Sequence, residues 1–375
     1  MASVLVLGGY GNFGKRICQA LVAKGISVII AGRRMERAEA LATQLGPLAI
    51  ARALQVPEGV PAALADLQPE VIVNTVGPFQ GQDYAVAKAA IDARVPYVDL
   101  ADGRAFVRGF GALDGAAKAA GVPLITGAST VPALSDAVLS AYAPHFAQLS
   151  ALRYGIAPGQ GAERGLATTQ GILSYVGRPL APFAHPQQPH YGWQQLYRQA
   201  YPTLGKRWMA SCDIPDLDVL PPRYGLRSIQ FSAGLELGLL HLTLWSLGWL
   251  VRLGLPVPLV RLAKPMLAAS DWFDRFGSRD GGMHLHMQGT RAEAPNEPLA
   301  LDWFIEARDG HGPHIPTVPA ILLAERIVRG ERSLAPGAYP CVGLIELQAY
   351  LAELRDLKVK VFPPALPGPD QPNAP

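Results

Sequence analysis

Cysteine is scarce: Cys18, Cys212 and Cys341 are the only three in 375 residues, and no Cys-x-x-Cys pair occurs. That spacing argues against a disulfide framework and a thiolate zinc site, and it fits a reducing, cytoplasmic setting. Charge is sparse too, at 17% of residues with a net of +3. No run of Lys and Arg interleaves with aromatics, so nucleic acid is not expected as a partner. The uncharged apolar run Leu237–Val251 falls short of the roughly 18–20 residues that cross a bilayer. The first apolar strand starts at Val4, which leaves no room for a signal peptide. No internal repeat is found.

What is present begins at once. Val4–Leu7 is a wholly apolar run, as in a strand buried on both faces. Gly9-x-Gly11-x-x-Gly14 follows, then a helical pattern through Ile17, Leu21 and Val22 that stops at Gly25. In such a strand–turn–helix unit Gly9 allows the tight turn, Gly11 lets a pyrophosphate approach the backbone, and Gly14 lets the helix lie close on the strand. The helix N-terminus then offers its free amides to phosphate. Tyr10, Asn12 and Phe13 complete this cofactor loop. The next strand, Ser27–Ala31, ends in Gly32-Arg33-Arg34. An acid about twenty residues after the glycines would mark NAD. Its absence, with Arg33 and Arg34 following, points to the 2′-phosphate of NADP(H).

Strands and helices then alternate: a helix from Met35 to Leu45, a strand at Pro47–Ala53, a helix at Val60–Leu67 and a strand at Glu70–Thr75. A break at Val76-Gly77-Pro78-Phe79 precedes a helix at Tyr84–Ala93, a strand at Tyr97–Leu100, a helix at Val107–Ala120 and a strand at Pro123–Thr126. This order predicts a parallel sheet with ligands outside the carboxyl ends of its strands. Tyr84 and Lys88 have Tyr-x-x-x-Lys spacing, but on a helix where packing is the better reading.

The segments 4–15, 31–34, 71–79 (Val-Ile-Val-Asn-Thr-Val-Gly-Pro-Phe) and 97–103 (Tyr-Val-Asp-Leu-Ala-Asp-Gly) resemble the saccharopine dehydrogenase-like NADP-binding family over about residues 3–140. The resemblance implies a Rossmann domain, NADP(H) and hydride transfer, without implying saccharopine as substrate. It also implies that Val76, Gly77, Pro78 and Phe79 border the nicotinamide side, and that the Tyr97–Asp99 segment faces a second domain.

The remainder reads as α+β. Ser129 and Thr130 cap a helix at Ala133–Ala143. A strand at Ser150–Ile156 and a helix at Leu166–Tyr175 precede a long irregular stretch, Arg178–Arg223, which is equally a substrate loop or a surface connection. After a strand at Ser228–Gly234, Leu237–Val251 is apolar all round, and Val257–Phe276 follows with Arg261 and Lys264 among leucines, then Trp272 and Phe273. They read as a helix pair in the core or at a dimer interface in preference to one laid on a membrane. Met283–Gly289 and Leu299–Ala307 form a hairpin turning at Ala292–Pro298. His284 and His286 share one strand face and read as solvated histidines, with no metal site. Thr317 caps the helix Ala320–Arg329. A helix at Leu344–Leu354, a strand at Lys358–Phe362 and a Pro-rich, disordered end from Pro363 close the chain.

The expected architecture is α/β. Residues 1–130 form an N-terminal Rossmann domain with a parallel doubly wound sheet. Residues 131–345 form a second α+β domain with a mixed or antiparallel sheet, for substrate and dimerisation, and 346–375 form a tail. The expected activity is NADP(H)-dependent hydride transfer to or from a C=O, C=N or activated C=C of an apolar small molecule, in a homodimer. Asp99, Asp102, Tyr97 and His314 are the candidates for proton transfer. The alternative is a non-catalytic NADP(H)-binding redox sensor or interaction protein.

Overall fold

The computed structural model describes residues 3–181, 190–331 and 334–366. Part of the Arg178–Arg223 stretch and most of the Pro-rich end lie outside them. The first third runs β1 (Ser3–Leu7), α1 (Asn12–Ala23), β2 (Ser27–Gly32), α2 (Met35–Leu45), β3 (Ala49–Ala53), α3 (Val60–Leu67), β4 (Val71–Asn74), α4 (Ala85–Ala93), β5 (Tyr97–Asp99), α5 (Arg104–Gly109), α6 (Asp114–Ala120) and β6 (Pro123–Thr126). Then come α7 (Ser135–Tyr142), β7 (Phe146–Ala157), α8 (Leu166–Tyr175), β8 (Tyr197–Tyr201), β9 (Gly205–Ser211), α9 (Asp216–Tyr224), β10 (Ser228–Ala233), α10 (Gly238–Arg252), α11 (Ala263–Asp271), β11 (Gly281–Arg291) and β12 (Pro298–Ala307). The chain closes with α12 (Val318–Val328), β13 (Gly337–Pro340), α13 (Leu347–Ala352) and β14 (Val359–Phe362).

Two sheets result. The first is parallel throughout, in the order β13-β6-β5-β4-β1-β2-β3. Its central strand β1 is apolar at every buried position because helices cover both faces. Val4 and Val6 pack with Ile17, Cys18 and Leu21 of α1 on one side. Leu5 and Leu7 pack with Leu64 and Val86 on the other. The second sheet is mixed, in the order β14-β12-β11-β7-β10-β9-β8, with β7 and β10 parallel. The expected hairpin is present as β11 and β12, in antiparallel register from Gly281↔Ala307 to Thr290↔Pro298.

Several expectations need correction. The Arg178–Arg223 stretch is not all irregular: it holds the β8–β9 hairpin and α9. Pro221 and Pro222 lie inside α9 and conceal it from a rule that ends helices at proline. The single helix expected at Val107–Ala120 is α5 and α6 with a 3₁₀ turn, Phe110–Leu113, between them. Ser129 and Thr317 make no side-chain cap; the Thr317 hydroxyl instead donates to the His314 carbonyl at 2.7 Å. Leu237–Val251 enters the core along one face only: of α10 His241, Leu244 and Gly248 are buried, and Trp245, Leu247 and Val251 pack partly against the core beside them. Finally, α12 and β13 fall within the 131–345 segment, yet β13 pairs with β6 and α12 packs against α1, β4 and β5 of the first sheet.

Candidate active site

The site is built at the carboxyl rim of the first sheet. Gly8, with φ +74°, makes the turn out of β1, so the left-handed residue is Gly8 and not Gly9. The Gly8 and Gly9 amides both donate to the Ala31 carbonyl, at 2.9 and 3.1 Å, which ties the loop to β2. A Cβ on Gly14 would lie 2.3 Å from the Gly8 carbonyl oxygen, so only glycine lets α1 start this close to the loop. A Cβ on Gly11 would meet just that same oxygen, at 3.0 Å, with otherwise open space before it. No side chain caps α1 and no acid occupies its first turn. The amides at Asn12, Phe13 and Gly14 therefore face an open cradle suited to an anion.

The end of β2 fits a phosphate as well. A Cβ on Gly32 would fall 2.4 Å from the Tyr10 ring, which occupies the place an acidic side chain would need. The Tyr10 hydroxyl accepts from the Arg34 amide at 2.9 Å. Arg33 and Arg34 are exposed, and among the described residues neither has an ion-pair partner. The cradle and these two guanidinium groups fit the pyrophosphate and 2′-phosphate of NADP(H).

Beyond β4 the turn Val76–Phe79 is rigidly held. The Asn74 side chain accepts from the Val76 amide at 3.0 Å, and Gln82 donates to the Val76 and Pro78 carbonyls at 3.0 and 2.7 Å. Phe79 is buried edge-on against Phe106. The second domain roofs this turn. Ala167 of α8 stands over Gly77, and Gly171 leaves room for the Gln80 amide. The loop ahead of α8 reaches α1, where Glu163 pairs with Lys15 at 2.9 Å and Arg16 at 3.1 Å, while Asn12 donates to the Glu163 carbonyl.

The four proton-transfer candidates separate. Tyr97 and Asp99, 1% and 0% exposed, have no surface to offer a substrate. The Tyr97 hydroxyl accepts from the Asn74 amide at 3.1 Å, beneath the turn. One Asp99 oxygen accepts from the Ala101 and Gly127 amides and from the Thr126 hydroxyl, so it stitches β5 to β6. Burial raises the Asp99 carboxyl to about 6. The native state therefore keeps a proton that the unfolded chain releases near 4, and the resulting stabilisation is lost as pH rises through about 6. Asp99→Asn removes that dependence. Urea unfolding should show the variant gaining about 3 kcal/mol on wild type between pH about 4 and about 7. A constant difference would refute the assignment.

His314 lies beside the first turns of α1. It lines a groove of about 280 Å³ with Arg16, Gln19, Val318, Ile321 and Leu354. Burial and the nearby Arg16, His311 and Lys15 push it down to about 4, so it is neutral at pH 7 and poorly suited as an acid. Asp102 is half-buried, accepts from Gln80 at 3.3 Å, and has its carboxyl raised by burial. Burial pushes the Tyr175 hydroxyl of α8 well up, with smaller contributions from nearby Cys212, Asp102 and Asp213. Gln80, Glu163 and Tyr175 were not among the sequence candidates; Gln80, directly after Phe79, had the one local signal.

His284 is not solvated. It is buried on β11 between the Tyr197 and Tyr201 hydroxyls, at 3.2 and 3.1 Å, and burial pushes it down to about 3. The β8–β9 hairpin that covers it was the element hidden from sequence. His286 is half-buried and bonds Asp302 at 2.5 Å.

Residues 4–140 match the family described as saccharopine dehydrogenase NADP binding domain. No curated protein sequence matches the chain. Among solved structures, apo histidine-tagged saccharopine dehydrogenase (L-Glu forming) from Saccharomyces cerevisiae is similar at TM-score 0.63 and 14% identity, over 96% of this chain and 100% of that one. That likeness is one of fold, and it takes in both sheets. The 3-hydroxyacyl-CoA dehydrogenase type-2 from Mycobacterium avium shares 22% identity over 38% of this chain and 82% of its own, at a TM-score of 0.28 that carries no argument.

Proposed function

We propose, from the premise that this chain carries a saccharopine dehydrogenase-type NADP-binding domain over residues 4–140, that the protein is an NADP(H)-dependent oxidoreductase acting on a C=O, C=N or activated C=C of an apolar small molecule. When bound, the cofactor supplies or accepts hydride at the nicotinamide. The chain's own residues supply position and electrostatics. The Gly8–Gly14 loop and the start of α1 hold the pyrophosphate, Arg33 and Arg34 hold the 2′-phosphate, and the pinned Val76–Phe79 turn fixes one wall of the nicotinamide side. Asp102 is the acid placed to give or take the proton, with Gln80 orienting it and burial keeping its carboxyl raised.

The observation that carries this reading is the roof. The Glu163 loop and α8 come from the second domain and sit on the cofactor rim. Hydride transfer needs water excluded there, whereas a cofactor sensor does not.

The test is a titration of NADPH and NADH against wild type and Arg33→Ala. Wild type should bind NADPH far more tightly. Arg33→Ala should weaken NADPH about tenfold to a hundredfold, the worth of a charge-assisted hydrogen bond, and leave NADH nearly unchanged. Equal loss for both cofactors would overturn the 2′-phosphate assignment, and binding of neither would end the enzyme reading.

A further inference from the structure

Helix α10 buries His241, Leu244 and Gly248 and turns the opposite side outward. At about 100° per residue, Leu239, Leu242, Trp249, Leu250 and Leu253 fall on that one outer stripe. Leu239 is 67% exposed and Leu253 74%. Further along the chain Leu255, Val260 and Leu262 are exposed too, as are Trp272 and Phe276 just after α11, at 59% and 60%. Isolated exposed leucines are ordinary, but so many on one 38-residue segment (239–276) form a patch that a lone soluble chain avoids.

The charges of this segment have one free sign. Arg252, Arg261, Lys264 and Arg275 are exposed, and among the described residues none has an ion-pair partner. The acids Asp271 and Asp274 are taken by Arg164, and Glu236 is held by Ser278, the Gln160 amide and Arg207. Arg252 lies over the Tyr191 and Trp249 rings at 4.0 and 4.7 Å, and Arg275 over Trp272 and Phe276 at 3.9 and 4.8 Å. A leucine stripe edged by tryptophan and by cations laid on aromatic rings matches the boundary of a bilayer, with rings at headgroup depth and guanidinium groups among phosphates. A second copy fits worse. Two-fold pairing of the patch on itself would oppose four free cations to four others with no free acid between them.

We propose that the surface formed by α10, the 253–262 segment and α11 docks on an anionic lipid bilayer without crossing it. No helix among the described residues is long and apolar enough to span one. Helix α11 packs against α8, the helix that roofs the Val76–Phe79 turn, so a docked molecule holds its cleft one helix away from the lipid. The docking rests on exposure and charge and stands independently of the chemistry at the cleft.

The experiment is co-sedimentation of the full chain with vesicles of phosphatidylcholine containing phosphatidylglycerol, and of phosphatidylcholine alone. Wild type should pellet with the anionic vesicles, and added salt should weaken it. Leu253→Asp should weaken partition about tenfold. Arg261→Glu with Lys264→Glu should cut the anionic preference by about twenty-five-fold, each residue contributing about fivefold. NADPH titration of every variant should match wild type, which separates lost docking from lost folding. Wild type left in the supernatant with anionic vesicles would overturn the proposal. So would vesicle binding indifferent to both variants, or a dimer in light scattering that Leu253→Asp splits while vesicles bind neither form. NADPH failing to bind while vesicles still do would sink the cofactor reading alone.

Discussion

Gly14→Val should abolish NADPH binding and destabilise the fold by about 3 kcal/mol or more. The new Cβ would lie 2.3 Å from the Gly8 carbonyl oxygen and 2.8 Å from the Gly9 Cα. Both are backbone atoms of the loop whose amides are tied to Ala31, so neither can swing aside as a side chain would. Relief requires α1 to move off β1. That separates Ile17 and Leu21 from Val4 and Val6 and displaces the amides that form the anion cradle. Calorimetric titration with NADPH and urea unfolding check the two effects. Gly111→Ala is the control: a Cβ there meets nothing within 4 Å, so stability should stay within about 0.5 kcal/mol of wild type. A Gly14→Val protein that binds NADPH normally would show that the loop is not the cofactor site.

Arg104→Met carries the second large effect. Arg104 is buried at the start of α5, and its guanidinium donates to Asp218 at 2.8 Å, to Asp213 at 3.0 Å and to the Ala181 carbonyl at 2.9 Å. It thereby ties the first domain to α9 and the segment before it. Burial already raises the Asp213 carboxyl, and the arginine is the chief influence holding it down. Removing the cation leaves two carboxylates without it in a partly dry place, which should cost about 3–5 kcal/mol. Adding Asp218→Asn to Arg104→Met should recover part of that loss, because one stranded charge goes with it. Denaturant unfolding of the two singles and the double closes the cycle. Additive losses would mean the pair contributes nothing specific. Asp102 stands two residues before Arg104, so on the proposed role of Asp102 the same variant should lower turnover by displacing that carboxyl rather than by removing it.

The cofactor half was legible because its signals are local. Four apolar residues, a glycine spacing and a cationic strand end lie within thirty-four residues, and each follows from backbone geometry. What went astray there was burial: nothing in Tyr97-Val98-Asp99 says that both polar groups point into the sheet rather than into a cleft, since their partners Asn74, Thr126 and Gly127 come from neighbouring strands. In the second half the signals were weaker in kind. The β8–β9 hairpin is half wet and alternates poorly, and the prolines of α9 mimic a loop. The composition of α10 fits a core helix and an outward-facing apolar stripe equally well, and only the packing of His241, Leu244 and Gly248 tells them apart. His284 needed Tyr197 and Tyr201 from a hairpin about eighty residues away in sequence.

The return of α12 and β13 to the first sheet sets a timetable. The parallel sheet lacks its edge strand beside β6 until Gly337–Pro340 has been made, and the α1 side of β4 and β5 lacks its cover until Val318–Val328 is in place. A chain emerging amino end first must therefore hold Val71, Val73 and Val98 uncovered while β7 to β12 of the second sheet are synthesised. The first sheet starts first yet closes only after β7 to β12 of the second have been made, and β14 then closes the second. A fragment ending near residue 140 is an open sheet with an exposed edge, prone to pair with other chains.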